Sequence, residues 1–444
     1  MKRAATLALA LALAVSGAAP LVAQSSFPEI YGLFYDLFAD RVDPNEGGTV
    51  FLSTLVPIGG LGEAMGGAYL AVARDNSFIE YNPAGSAVID RTELALYHNN
   101  WIEEAKVEAA VYAMRFGDLG FAVSGKWLYL PFTEYDQYAA SVAGSYYAEA
   151  IATANASVRL FPGYYFYGLA VGLNLKAAYR SFPDYDLDDD GVLEPDELST
   201  GEDQSAFAVM VDAGLLTRFN LLKFYGSRSK NAAVGLTLRN LGPPAKGEPL
   251  ATVASTGFAW SPLRPLTLSA DLSQPLNLLD PAASERRYWS VGFLAQLTDF
   301  LGLQGGFQLK GANPRISLGA AVEIEPVTLL VNYNLDLATA FGPLNRLSLE
   351  ARFDLGDRGR ADRARKVEEL YLSGLDAYAS GDSELAVSFW RQALELDRSF
   401  DPARESLDAA VALLDLLDLL EETRRLDAPA SAPDPAAGEP EGTP

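Results

Sequence analysis

Apolar and polar side chains alternate, one residue to the next, over long stretches of this sequence. In Val327–Leu337 (VTLLVNYNLDL) the odd-numbered positions are all apolar or aromatic, and the even-numbered positions are polar except Leu330. Leu347–Leu355 (LSLEARFDL) alternates in the same way and carries Glu350 and Arg352 on its polar face. A period of two residues predicts a β-strand with one apolar face. Charged side chains on the opposite face suit the wet lumen of a membrane barrel.

Fourteen segments show this alternation or are long runs of strand-forming residues. They are residues 92–100, 106–116, 118–130, 150–161, 164–181, 205–219, 230–240, 251–262, 264–274, 287–298, 301–310, 314–324, 326–337 and 345–355. Most are ten or more residues long; tilted membrane strands need about 9–11 residues, whereas strands of soluble proteins average about 5–6. Tight turns alternate with mostly longer connections at 131–149, 182–204, 241–250, 275–286 and 338–344. This pattern predicts an all-β transmembrane barrel of about fourteen antiparallel strands over residues 92–356, with a large soluble sandwich as the alternative.

The start of the chain and its composition fit an exported protein. Residues 1–23 combine Lys2 and Arg3 with an apolar run and a small residue, Ala23, at a plausible cleavage site, which predicts a secretory signal peptide. The 444 residues carry a formal charge of −24, about −26 after that cleavage, so nucleic acid and anionic headgroups are not expected partners. The chain has no cysteine, which excludes disulfides and a cysteine-linked lipid anchor. No later run of 18 apolar residues predicts a membrane-spanning helix.

A fourteen-stranded barrel has a lumen wider than its own wall side chains fill, so something must occupy it. Residues 24–91 precede the first strand, and their segment IGGLGEAMGGAYLAVARDNSFIEYNPAG is rich in glycine. Pro83 fixes its own φ and keeps Asn82 out of the helical region, while glycines allow tight turns. Short apolar pieces joined in this way predict a periplasmic arm and a compact plug over residues 24–91, with an irregular lead-in arm as the alternative.

The same segment resembles the N-terminal hatch of the FadL-like family of outer-membrane transporters of hydrophobic compounds. It is also similar to the related PorV/PorQ-type proteins and to uncharacterised spirochaetal FadL-like proteins. The likeness rests on Gly66-Gly67-Ala68-Tyr69, on Asp75 and on Asn82-Pro83-Ala84-Gly85. The resemblance implies that Gly66, Gly67, Asn82, Pro83, Ala84 and Gly85 belong to a gating hatch, with Asn82 as a polar latch to the wall. It also implies passage of hydrophobic molecules such as long-chain fatty acids.

Residues 186–197 (DLDDDGVLEPDE) match the spacing of a calcium-binding loop. The ligands would be Asp186, Asp188, Asp190, the Val192 carbonyl, Glu194 through a water, and Glu197. Gly191 permits the sharp turn, whereas Pro183 and Pro195 disfavour flanking helices. We expect a structural calcium ion that orders an extracellular loop; an acidic solvated loop is the alternative.

The pattern becomes helical after the last strand. Residues 357–426 resemble one tetratricopeptide repeat followed by a further helix, with Gly374 for close packing, Gly381 for the turn, and Ala386, Trp390 and Ala393 on the inner face. One repeat buries little surface alone, so it is expected to pack on the barrel rim, on another copy or on a periplasmic protein partner; a self-contained helical hairpin is the alternative. Residues 427–444 are rich in proline and poor in apolar residues, which predicts a disordered tail.

The residues offer little for catalysis. His98 is the one histidine, no nucleophile motif accompanies it, and a His/Cys zinc site is impossible without cysteine. The carboxylates of Trp101–Glu104 (WIEE) fit a solvated loop better than a glycosidase pair. We therefore expect no catalytic residues and no enzyme.

Two other functions remain open beside passive, hatch-gated uptake across the bacterial outer membrane. A PorV-like scaffold would anchor secretion or surface-attachment partners without transport. The helical tail favours this scaffold, because a simple channel needs no such tail. A surface adhesin would act through its calcium-ordered loops. Outer-membrane lipid surrounds the barrel in each case, and the tail lies in the periplasm.

Overall fold

The computed structural model describes residues 38–102, 104–135, 141–181, 205–227, 229–337 and 344–427. The predicted signal peptide (1–23), the calcium loop (186–197) and nearly all of the predicted disordered tail (427–444) lie outside these ranges. The chain divides into two units, one holding the strands and the segment before them, the other holding the C-terminal helices after Arg358.

Fourteen antiparallel strands of the described chain close into a barrel, which confirms the predicted fold class. Each strand pairs with its neighbours in sequence, and β1 pairs with β14. The strands are β1 (Glu93–Asn100), β2 (Lys106–Phe116), β3 (Leu119–Tyr135), β4 (Ser141–Leu160), β5 (Leu169–Ser181), β6 (Ala206–Phe219), β7 (Ala232–Leu241), β8 (Thr252–Leu263), β9 (Leu266–Leu276), β10 (Tyr288–Thr298), β11 (Leu301–Lys310), β12 (Asn313–Ile324), β13 (Val327–Asp336) and β14 (Leu344–Asp354).

Two predicted connections differ from the structure. The expected outer loop 131–149 is wrong, because β3 and β4 continue through it and remain paired from Pro131–Tyr146 to Tyr135–Ser141. Ladder hydrogen bonds join backbone groups, so a ladder can extend where the side chains no longer alternate cleanly. The tight connection expected between segments 150–161 and 164–181 is wrong too, since β4 ends at Leu160 and β5 begins only at Leu169.

The two faces of the wall differ in polarity. Outward side chains include Leu173, Leu175 and Phe207, which are 54%, 56% and 63% exposed. Inward side chains on the same strands include Asn174, Lys176 and Asp212, all buried. Leu330, the exception in its strand, points inward and packs in the core cluster with the segment before β1. A wall that is apolar outside and polar inside is typical of membrane barrels.

Aromatic side chains stand at both ends of the apolar exterior. We call the end with the connections after β1, β3 and β5 the loop rim, and the end with the connections after β2, β4 and β6 the turn rim. Exposed aromatics lie toward the loop rim at Trp127, Tyr179, Phe207 and Trp289, and toward the turn rim at Phe116, Phe219 and Phe300. Such aromatic belts mark the two interfaces of a membrane.

The segment before β1 fills the lumen, and we call its residues 50–91 the plug. It contains the short helices α1 (Gly60–Ala64) and α2 (Phe78–Tyr81) and the 3-10 turns Leu52–Leu55 and Pro83–Ala87. Most plug residues from Ile58 to Ile89 are buried, together with inward residues of the wall. The barrel core is therefore largely an interface between plug and wall.

The C-terminal unit contains helices α3 (Arg360–Ala379), α4 (Ser383–Leu396) and α5 (Asp401–Asp427). Gly374 lies against Trp390, and Gly381 has a φ of 90° in the turn between α3 and α4. Ala386, Trp390 and Ala393 are buried. The likeness to a tetratricopeptide repeat stays a prediction. No helix in the ranges described above has the length and apolar character needed to cross a membrane.

Gly374→Val should loosen this helical unit. A Cβ at position 374 would lie 2.3 Å from Trp390 Nε1, so α3 and α4 must separate, at a cost of about 1–3 kcal/mol. Hydrogen exchange in the full chain should show faster exchange over residues 360–396 in this variant. Leu372→Val changes an exposed neighbour on the same helix and should exchange like the wild type; equal exchange in both variants would contradict the packing argument.

Candidate functional site

Inward-facing glycines of the wall touch the backbone of the plug. A Cβ on Gly120 in β3 would lie 2.1 Å from the Ser86 carbonyl carbon, and one on Gly306 in β11 would lie 2.1 Å from that of Met65. Further contacts closer than 3 Å occur on other strands, with plug backbone at Gly172 and Gly292 and with plug side chains at Gly214, Gly235 and Gly319. Only glycine allows two backbones to approach this closely. The plug is therefore fitted to its wall around most of the barrel.

Inward-facing asparagines of the wall bind carbonyl groups of the plug. Asn155 Nδ2 donates to Pro83 O, Asn174 Nδ2 to Ile79 O, and Asn332 Nδ2 to Gly60 O, each over 2.9 Å. These three residues lie on β4, β5 and β13, and each is at most 5% exposed. Because the plug has little regular secondary structure, its buried carbonyls need such partners.

Charged wall residues also hold the plug. The Asp271 carboxylate on β9 accepts hydrogen bonds from the amides of Tyr69 and Leu70, both at 2.8 Å. Lys126 on β3 pairs with Glu80 at 2.6 Å. These contacts come from strands that face each other across the lumen, so the plug is tied to opposite sides of the barrel.

Asn82, the predicted latch, forms hydrogen bonds with both the plug and the wall. Its Nδ2 donates to Leu70 O at 3.0 Å within the plug and to Leu215 O of β6 at 3.1 Å, and its Oδ1 accepts from Ala84 N at 3.1 Å. Asn82 also caps the 3-10 turn that Pro83 begins. A Cβ on Gly85 would lie 2.4 Å from the Phe78 side chain. The structure thus brings Asn82, Pro83, Ala84 and Gly85 together against β5 and β6.

Gly66 and Gly67 have positive φ values of 63° and 83°, and both face the wall at β10 and β11. The next motif residue, Tyr69, donates from its hydroxyl to Asp75 Oδ1 at 2.5 Å and accepts from Asp75 N at 2.8 Å. Burial, together with the adjacent Asp75 carboxylate, raises the pKa of the Tyr69 phenol well above its usual value. Tyr69 therefore remains protonated and keeps its hydrogen bond to Asp75, which stabilises this part of the plug.

The plug separates two cavities. The cavity on the loop side has a volume of about 420 Å³ and reaches Trp101, Arg315 and Arg346. The cavity on the turn side has about 260 Å³ and reaches Arg74 and Arg352. Both therefore have polar walls, and neither resembles a purely apolar tunnel.

Charged side chains of both signs line the loop-side cavity. They are Glu46, Glu63, Glu80, Asp271, Asp336, Arg239, Lys310, Arg315 and Arg346. Glu63 of α1 accepts a hydrogen bond from Ser348 Oγ at 2.7 Å. Burial raises the pKa of the Glu63 carboxyl, against the opposing effect of Arg346. The cavity therefore suits a molecule that carries a polar or charged group.

Four wall residues that bind the plug were not predicted from the sequence. Asn155, Asn174, Asp271 and Asn332 occupy polar positions of alternating strands, which is also the pattern of residues that merely line water. The one available signal was their size, since all four are short amides or carboxylates. The proposed calcium ligands Asp186, Asp188, Asp190, Val192, Glu194 and Glu197 lie outside the described part of the chain.

Comparisons with solved structures give likenesses of low identity. The chain is similar to the CymD monoaromatic hydrocarbon channel, with 11% identity, a TM-score of 0.46, and coverage of 68% of this chain and 98% of CymD. It is similar to the Pseudomonas putida toluene transporter TodX, with 13% identity, a TM-score of 0.45, and coverage of 66% and 96%. A Pseudomonas aeruginosa FadL homologue has 11% identity, a TM-score of 0.43, and coverage of 66% and 97%.

Sequence relatives agree over most of the chain. A UPF0164 protein of Treponema pallidum (strain Nichols) is 29% identical over 388 residues, covering 83% of this chain and 84% of the relative. A second from the same organism is 26% identical over 376 residues, covering 78% and 72%. The model of the uncharacterised protein family UPF0164 matches residues 40–356, which include the plug and all fourteen strands. The chain therefore belongs to the UPF0164 family.

Proposed function

We propose that this protein is an outer-membrane channel for passive uptake of hydrophobic or amphipathic molecules, with the plug as its gate. The observation that supports it most is a closed wall, apolar outside, whose lumen is divided by the plug into two cavities. The resemblance of the plug to a FadL-like hatch supports the same role. Long-chain fatty acids are the first passengers to test.

The strand count supports an orientation of the barrel in the membrane. With fourteen strands, the chain enters the barrel before β1 and leaves it after β14 at the same rim, the turn rim. Short turns face the periplasm in bacterial barrels. We therefore place the loop-side cavity toward the cell exterior and the C-terminal helices in the periplasm.

A disulfide between plug and wall tests gating directly, because the chain has no native cysteine. Ser86 Oγ of the plug lies 2.5 Å from Ser157 Oγ of β4, so Ser86→Cys with Ser157→Cys places two thiols within bonding reach. Cells that lack their own fatty-acid uptake protein and express this double variant should take up labelled palmitate when reduced. Uptake should fall to background when the variant is oxidised, because the plug is then fixed to the wall.

Ser86→Cys alone is the matched control and should transport under both conditions. Uptake by the oxidised double variant at the level of the reduced one would reject the gate.

A second candidate function, the non-transporting scaffold, is favoured by the glycine contacts that fix the plug on so many strands. Absence of palmitate uptake by the wild type, with the barrel present in the outer membrane, would support that scaffold instead.

We also propose that residues 186–197 bind calcium through the six ligands named above. Calcium titration of the purified chain should quench or shift a fluorophore attached at a cysteine introduced at Ser199, with half-saturation at about 10⁻⁴–10⁻³ M. Glu197→Ala, which removes the bidentate ligand, should weaken the response at least tenfold. Ser181→Ala, outside the loop, is the control; identical titrations of wild type and Glu197→Ala would reject the site.

A further inference from the structure

Two grooves lie side by side on the outer face of the wall. The larger has a volume of about 650 Å³ and crosses β5 to β9. The smaller has a volume of about 410 Å³ and crosses β7 to β10. Both are lined by Thr256 and Leu272, which form the ridge between them. Because outward apolar side chains make up most of each groove, both belong to the surface that membrane lipid covers.

The strand register explains the larger groove. Ala213 of β6 is paired with Leu173 and Leu238 of the two neighbouring strands. Ala254 of β8 is paired in the same way with Leu238 and Gln274. Paired side chains on one face of a sheet stand next to each other, so a methyl group between longer neighbours leaves a depression. The two alanines therefore form the floor of the groove.

The smaller groove has the same origin. Ala270 of β9 is paired with Phe258 and Val291, which are both larger. The wall is also bent at the larger groove, because a bulge in β7 shifts the register between Val211 and Ala213. Side-chain length and this bend together give two parallel grooves where a smooth apolar wall would otherwise lie.

The grooves run obliquely from the membrane interface toward the centre of the bilayer. Trp289, in the aromatic belt at the loop rim, lines the smaller groove, and Arg287 lines the larger groove. At the other end of the larger groove, Leu173 precedes Tyr179 of the same belt by six residues of β5. Six residues of a strand span about 20 Å, or about 15 Å of depth at a tilt of about 40°. This depth is about half of the hydrocarbon core, so the path suits acyl chains that descend from the interface.

A cation stands at the interface end of the larger groove. Arg287 is the one charged side chain among the described residues that line this groove, and Arg286 precedes it in the chain. Both arginines are exposed. The net charge of −24 disfavours anionic surfaces for the chain as a whole, but two adjacent cations at the interface are a local exception. Arginine binds phosphate oxygens through paired hydrogen bonds, and basic residues at membrane interfaces attract anionic headgroups.

We propose that the outer face of β5–β10 is a binding site for one anionic diacyl phospholipid of the leaflet at the loop rim. Its phosphate binds Arg287, and its two acyl chains lie in the two grooves, on either side of Thr256 and Leu272. The site lies outside the lumen and does not require that the lumen conducts solutes. Palmitate uptake therefore tests the channel, and lipid retention tests this site.

The test measures lipid retention by the full chain in detergent with native mass spectrometry. The probes are phosphatidylglycerol and phosphatidylcholine with the same two acyl chains, and lysophosphatidylglycerol with one chain. Wild type should retain one phosphatidylglycerol per barrel, about fivefold more tightly than phosphatidylcholine, which is the effect of one arginine near an anionic headgroup. Arg287→Gln should remove that preference, and Arg287→Lys should keep most of it. Ala254→Leu fills the larger groove and should lower retention of phosphatidylglycerol to that of the single-chain lipid.

Arg264→Gln and Ala295→Leu are the matched controls. Arg264 is exposed in the connection between β8 and β9 at the turn rim, and Ala295 lies on β10 outside both grooves. Both variants should retain phosphatidylglycerol like the wild type. Equal retention by wild type, Arg287→Gln and Ala254→Leu, with the same thermal melting of all three, would overturn the site. A dimer without bound lipid that Ala254→Leu abolishes would also overturn it, because a second copy of the chain would then cover the grooves.

Discussion

Gly120→Val is expected to force the plug away from β3 and open the lumen. A Cβ at this position would lie 2.1 Å from the Ser86 carbonyl carbon and 2.4 Å from Ala87 N, both backbone atoms that cannot rotate aside. The turn Pro83–Ala87 must therefore shift, at a cost of about 1–3 kcal/mol for overpacking and more where hydrogen bonds to the wall are lost. Ion conductance of the variant in planar bilayers should rise severalfold above that of the wild type.

Gly125→Val is the matched control for this result. Gly125 lies on the same strand, and no atom would lie within 4 Å of an added Cβ. Valine also favours strands, so this variant should fold and conduct like the wild type. Equal conductance of the two variants, with equal resistance of residues 60–91 to protease, would contradict the view that the plug is fitted to the wall.

Asn82→Asp is expected to release the plug with almost no change in side-chain volume. Asparagine donates two hydrogen bonds from Nδ2, to Leu70 O and to Leu215 O, and aspartate has no donor for either carbonyl when ionised. The residue is fully buried, so an unpaired charge there should cost about 3–5 kcal/mol. Hydrogen exchange over residues 68–88 should accelerate, and ion conductance should rise.

The effect of Asn82→Asp should depend on pH. Burial would raise the pKa of the introduced carboxyl above its unfolded value of about 3.9, so folding favours the protonated form. The destabilisation should therefore be largest at neutral pH and shrink as the pH falls toward 4. Asn345→Asp, at an exposed position of β14, is the control and should change neither exchange nor conductance. A pH-independent effect would show that the lost hydrogen bonds alone, without charge burial, explain the variant.

Much of the wall could be predicted because its pattern is local. Val327–Asp336 alternates residue by residue, and in such a strand the face of each side chain follows from its position alone. The extension of β3 through Pro131 could not be found in this way, since it depends on backbone pairing with Tyr146 rather than on side-chain polarity.

The plug could be predicted from composition and resemblance, but its contacts with the wall could not be predicted. Asn82 follows from the motif, but its acceptor Leu215 O lies 133 residues away in sequence. Arg346 looked like one more polar residue of a lumen-facing strand. In the fold it contacts Trp101 and Asp336, which come from two other parts of the chain.

The pairing of β1 with β14 has a consequence for how the molecule is assembled. Glu93 lies opposite Asp354, so the sheet cannot become a cylinder until the final strand has been added. The hydrogen-bond partners of the plug are spread over strands from β1 to β14. The plug, which precedes all fourteen strands, thus has its full set of wall partners only when β14 is in place.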